Sequence, residues 1–151
     1  MTRAEVSEKI ARMKAVQRGL VKAVGSDYND QRRFQVREIE VKIMGIIYIY
    51  LGILHFTNTD FYFPYMPNFL PFHWELIIAS GVAEIILGIG LFFEKYRNLC
   101  LWGIILMLSV FFLVHFNMLI PENSLGNPLY LLLFRIFLQF GLIYWAWKNI
   151  K

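Results

Sequence analysis

The 151 residues are 58% hydrophobic and 17% aromatic against 17% charged, with a formal net charge of +4. That length suits one soluble domain, yet "IMGIIYIYLGILHF" and "LWGIILMLSVFFLVHFNMLI" contain no Lys, Arg, Asp or Glu with which to face water. An ordinary soluble fold is therefore excluded, no nucleotide, flavin or phosphate motif is found, and a lipid bilayer rather than nucleic acid is the expected partner.

Residues 1–40 differ from the rest and are read as a cytoplasmic basic amphipathic extension. In "AEVSEKIARMKAVQRGLVKAVG", Val6, Ile10, Met13, Val16, Leu20 and Val24 recur at three- and four-residue spacing, with Lys and Arg on the other faces and Gly25 as a natural stop. Such a helix either attaches to an anionic inner leaflet or a partner, or packs as a solvated helix at the base of the rest. "GSDYNDQRR" then reads as a loop, because Gly, Ser, Asn and Asp cluster there.

Residues 41–151 carry the membrane domain. A bilayer core needs roughly 20 mostly apolar residues per helix, and four segments approach that length, at about 41 to 56, 74 to 93, 99 to 120 and 128 to 147. The fold class is thus all-α, an integral membrane four-helix bundle. Arg3, Lys9, Arg12, Lys14, Arg18, Lys22, Arg32, Arg33, Arg37 and Lys42 precede the first span or sit at its lip, Lys95 and Arg97 lie between the second and third, and Lys148 and Lys151 follow the fourth. The stretches 57–73 and 121–127 contain neither residue type. Positive charge stays on the cytoplasmic side, so both termini are expected inside and those two loops outside. The N-terminus is too polar for a cleavable signal, so the first span is expected to direct insertion itself. Cys100 is the only cysteine and forms no intrachain disulfide.

The outer loop "TNTDFYFPYMPNFLPF" is rich in aromatics, and Pro64, Pro67 and Pro71 prevent a continuous helix; it is expected to lie flat at the interface. Gly45 and Gly52, like Gly81 and Gly88, repeat at about two helical turns and permit close helix approach. Trp145, Trp147 and Lys148 read as an anchor at the inner interface.

"GILHF" at 52–56, "MPNFLP", "SGVAEIILGIGL" at 80–91, Arg97 in a short inner loop and "RIFLQFGLIYWAW" occur in the order and spacing of a known pattern. Over residues 45–147 the chain resembles the DoxX-like family of small four-helix membrane proteins. Relatives often have Pro-x-Asn where this chain has "HFN", so Asn117 matches and His115 replaces the Pro. The resemblance implies a bacterial cytoplasmic (inner) membrane protein associated in some relatives with thiol or sulfur redox systems, while more distant look-alikes assist assembly of membrane proteins. It implies no single reaction.

Two charges fall inside the apolar spans. Ser80, Glu84 and Gly88 share one face of the second, and Arg135 and Gln139 one face of the fourth. A lone charge at the helix centre costs about 2.5 to 3.5 kcal/mol, so a direct Glu84–Arg135 pair is expected. It serves either as a register-fixing ion pair or as a polar site for a quinone, an acid or a proton. His55, His115, Asn117, His73 and Glu75 lie at outer depths that allow convergence with Arg135. Two histidines can ligate a haem, and two with a carboxylate a metal, but a His hydrogen-bonded within the bundle is the plainer reading and no metal ligand is assigned.

Two function classes follow. One is a membrane subunit of a redox system that binds a quinone or small organic acid at Glu84, Arg135, Gln139, His115, Asn117, His55 and Glu75. The other is an assembly or scaffold protein, with a membrane protein as partner and a structural Glu–Arg pair. No nucleophile with a partnered base is identifiable, and four short spans without an inverted repeat give little machinery for a transporter.

Overall fold

The computed structural model describes residues 3–151; Met1 and Thr2 of the N-terminal extension lie outside the described residues. The elements are α1 (Arg3–Thr57), a four-residue α2 (Thr59–Tyr62), a 3-10 turn at Phe63–Tyr65, α3 (His73–Gly90), α4 (Glu94–Asn117), a second 3-10 turn at Pro121–Asn123 and α5 (Leu129–Trp147), with no strand among the described residues. The chain divides into two units, Met1–Ile39 and Glu40–Lys151.

In the first unit the loop expected at "GSDYNDQRR" is absent, and the helix continues through it. Gly within a helix costs only about 1 kcal/mol relative to Ala and no proline lies there to remove a backbone donor. The Ser26 hydroxyl donates to the Ala23 carbonyl at 2.8 Å, a local bond compatible with the helix. Clustered turn formers therefore fail to break it.

In the second unit, four helices are long and apolar enough to cross a membrane. Their apolar character is not consumed by packing within the chain: Ile46, Ile86, Leu106 and Phe137, on α1, α3, α4 and α5, are 60%, 62%, 68% and 71% exposed. A soluble bundle turns such positions polar.

Helices α1 and α3 meet through glycine. A Cβ on Gly52 would lie 2.7 Å from the Gly81 carbonyl oxygen and one on Gly81 2.9 Å from the Gly52 carbonyl, while Gly45 and Gly88 stand in the same relation at 2.8 Å. The two contacts pair an earlier α1 glycine with a later α3 glycine, so the helices run antiparallel with backbones almost touching.

Below this crossing lies a buried apolar cluster that includes Val41, Met44, Tyr48, Leu91, Leu101 and Ile104. Arg97 belongs to the first turns of α4 rather than to a loop; it is buried, and its Nε donates to the Leu91 carbonyl at 3.2 Å, capping the end of α3. Glu40 accepts from Lys148 Nζ at 3.0 Å and from Asn149 Nδ2 at 3.1 Å, tying the base of this part of α1 to the residues after α5.

The segment between α1 and α3 is compact. Its short helix and 3-10 turn accommodate Pro64 at the start of the turn, where no backbone donor is needed. His73 Nε2 lies 3.0 Å from the Pro67 carbonyl oxygen, and Phe72 takes the left-handed conformation (φ 58°) as the chain enters α3.

Candidate functional site

The Gly52–Gly81 contact determines what happens one turn further along α1. With no side chain on Gly81, His55 packs directly over it, and a Cβ there would come within 2.7 Å of the His55 Cβ. The imidazole is thereby carried to α3. Its Nδ1 lies 3.2 Å from Ser80 Oγ and its Nε2 3.6 Å from Glu84 Oε2. Tyr62, from the loop, stacks on the ring at 4.1 Å with planes 13° apart. Glu84 is 4% exposed, and its Oε2 has no hydrogen-bond partner.

Arg135 comes from α5. Its Nη1 donates to Met118 Sδ at 3.6 Å and the guanidinium lies 5.0 Å over the Tyr65 ring. A thioether and an aromatic face stabilise a cation without neutralising it. The expected direct Glu84–Arg135 pair is not formed, because no carboxylate among the described residues contacts Arg135 and the buried carboxylate has the imidazole of His55 as its ionic neighbour. The glycine crossing decides which base reaches Glu84.

His55, Glu84, His115 and Arg135 line one cavity of about 320 Å³, together with Leu51, Ile77, Phe111 and Val114 from the helices and Phe61, Tyr62, Tyr65 and Met66 from the loop. His115 Nδ1 faces no hydrogen-bond partner. The cavity is thus an apolar chamber lined by a cation and an acid–imidazole pair, with two buried polar atoms unsatisfied, the pattern of a small-molecule site.

Gln139, Asn117 and Glu75 do not line it. Gln139 is buried and its Nε2 donates to the Leu108 carbonyl at 2.5 Å, linking α5 to α4. Asn117 Oδ1 accepts from Asn123 Nδ2 at 3.1 Å, holding the turn after α4. Glu75 is exposed in the first turn of α3, where a carboxylate suits the positive end of the helix dipole. Four side chains of the loop expected at the interface also form part of the cavity wall. Tyr62 and Tyr65 could be found only by knowing that the loop folds inward, although its density of aromatics was a signal. No group of three or more His, Cys, Asp or Glu able to hold a metal ion occurs among the described residues.

A family model described as a domain of unknown function (DUF8561) matches residues 44–150. No curated protein and no solved structure matches the chain.

Proposed function

Because the chain belongs to the DUF8561 family, a domain of unknown function matched over residues 44–150, we propose its function from the cavity: a multi-pass membrane protein that binds a small organic acid or a quinone between its helices. The observation that carries this is the guanidinium of Arg135, left without a carboxylate partner beside an apolar chamber. Its remaining N–H donors suit a carboxylate or a quinone carbonyl, and the apolar walls suit the ligand's body. A membrane subunit of a redox system is the role we assign, on the strength of the DoxX-like resemblance. The rival scaffold role rested on a self-satisfied Glu–Arg pair, which the geometry does not favour.

The test is extraction and mass spectrometry of the purified protein with its visible spectrum. An amphiphilic acid or quinone should copurify with the wild type and be lost from Arg135→Gln. A stable wild-type protein that carries neither, and takes up neither when supplied, would return the scaffold reading.

The cytoplasmic membrane of a bacterium, with both termini inside, is the placement we propose. Its support is the one-sided distribution of Lys and Arg. A cysteine introduced at Asn58 should be labelled by an impermeant reagent in intact cells; labelling only after permeabilisation would invert the topology.

The segment 4–24 is proposed to bind anionic lipid. Ile10, Met13, Val16 and Leu20 are exposed in it, and Arg12, Lys14, Arg18 and Lys22 accompany them. A peptide of residues 4–24 should gain helicity on anionic vesicles and much less on neutral ones. An equal response to both would remove the electrostatic part of this role.

A further inference from the structure

Ser80 has one hydroxyl proton, and the Ile77 carbonyl at 2.8 Å is its nearer acceptor. With the proton assigned there, Ser80 Oγ accepts from His55 Nδ1 at 3.2 Å. The Nδ1 proton being thus engaged, a neutral His55 presents a bare Nε2 toward Glu84 Oε2, 3.6 Å away. Two unprotonated acceptors facing each other in a buried place repel. One further proton resolves this, either as imidazolium beside carboxylate or as imidazole beside carboxylic acid, and in both forms the pair is neutral. The proton belongs to the pair rather than to either residue.

The charge of the whole site then depends on that proton. The groups facing the pair are Tyr48 from α1, Tyr62 and Tyr65 from the loop, His115 from α4 and Arg135 from α5. With the pair protonated and His115 neutral, Arg135 leaves the chamber with one uncompensated positive charge. When the pair loses its proton, Glu84 supplies the opposite charge from within and the chamber is neutral.

We propose that the cavity binds a monoanionic amphiphilic carboxylate together with the proton held by His55 and Glu84, so that anion and proton occupy the site as a linked pair. This rests on the reading of the cavity as an organic-acid site and commits it to a carboxylate. The carboxylate pairs with the Arg135 fork, its hydrocarbon fills the wall formed by Leu51, Ile77, Phe111 and Val114, and the buried chamber ends with no net charge. No bond is made or broken in this step beyond proton transfer to the pair from solvent. The sign follows: affinity is full while the pair is protonated and falls as pH rises through its deprotonation.

The experiment is calorimetric titration of octanoate into the full chain in nanodiscs from pH 5 to 9, with empty nanodiscs correcting for bilayer partition. One linked proton makes the dissociation constant of the wild type rise up to about tenfold per pH unit above the transition. Glu84→Gln, which cannot supply the competing negative charge, should hold its affinity across that range. Arg135→Gln should lose saturable binding. His115→Gln should keep the pH slope, which separates the pair from the other imidazole. Saturable wild-type binding that is flat with pH, or a slope that survives in Glu84→Gln and vanishes in His115→Gln, overturns the linkage while leaving an organic-acid site in place. Absence of saturable wild-type binding at every pH overturns the organic-acid site itself.

Discussion

Gly81→Leu is expected to separate α1 from α3 and to empty the candidate site at the same time. At this position even a Cβ would stand 2.7 Å from the His55 Cβ and 2.9 Å from the Gly52 carbonyl oxygen. A backbone oxygen cannot swing aside as a flexible side chain does, so the helices must move apart. Overpacking of a tight interior costs typically about 1 to 3 kcal/mol and occasionally more; a leucine between two backbones belongs at the upper end. Gly141, on α5, has nothing within 4 Å of the place its Cβ would occupy. Gly141→Ala should therefore be neutral or stabilising, by up to about 1 kcal/mol from helix propensity. Thermal melts in one detergent compare the two directly. A Gly81→Leu protein as stable as the wild type would mean that the α1–α3 crossing is wrong.

The second large effect is expected at His55. Replacing it with Leu leaves Glu84 buried with no ionic neighbour, a change that costs about 3 to 5 kcal/mol if the carboxylate stays charged and less if it takes up a proton. Adding Glu84→Gln to His55→Leu should recover much of that loss, because no charge is then stranded. The same cycle run on Glu84 and Arg135 should give the smaller coupling, since these two are not in contact. Measured melting free energies for both cycles decide the matter. A Glu84–Arg135 coupling larger than the His55–Glu84 coupling would restore the direct pair suggested by sequence.

Where a residue lies along a helix could be read from the chain; which way it points could not. Helix existence was legible because uncharged runs of bilayer length have few alternatives, and α3, α4 and α5 fall within a few residues of the expected segments. The glycine spacing foretold close approach, and the fold gives its partners. Glu84 and Arg135 were visible as charges in apolar surroundings, and they do share a cavity. Facing was invisible, because a period of 3.6 residues fixes relative angles within one helix and says nothing of rotation between helices. Glu75, Asn117 and Gln139 share that depth but do not line the cavity. At "GSDYNDQRR" the reason is the opposite: local turn preference yields to the continuity of a helix that nothing interrupts.

The paired glycines also act as a ratchet. Gly45 opposite Gly88 and Gly52 opposite Gly81 form two teeth seven residues apart, and a slip of α1 by one turn would bring the bulky side chains of Ile49 and Phe56 to where glycines now stand. Axial sliding, the small shear that packed helices commonly use to change state, is thus closed to this pair. The wall built from Phe61, Tyr62, Tyr65 and Met66 is held differently, by ring stacking on His55 and by the cation of Arg135. Those contacts are individually worth about 0.5 to 2 kcal/mol, far less than the steric block that the paired glycines set against sliding.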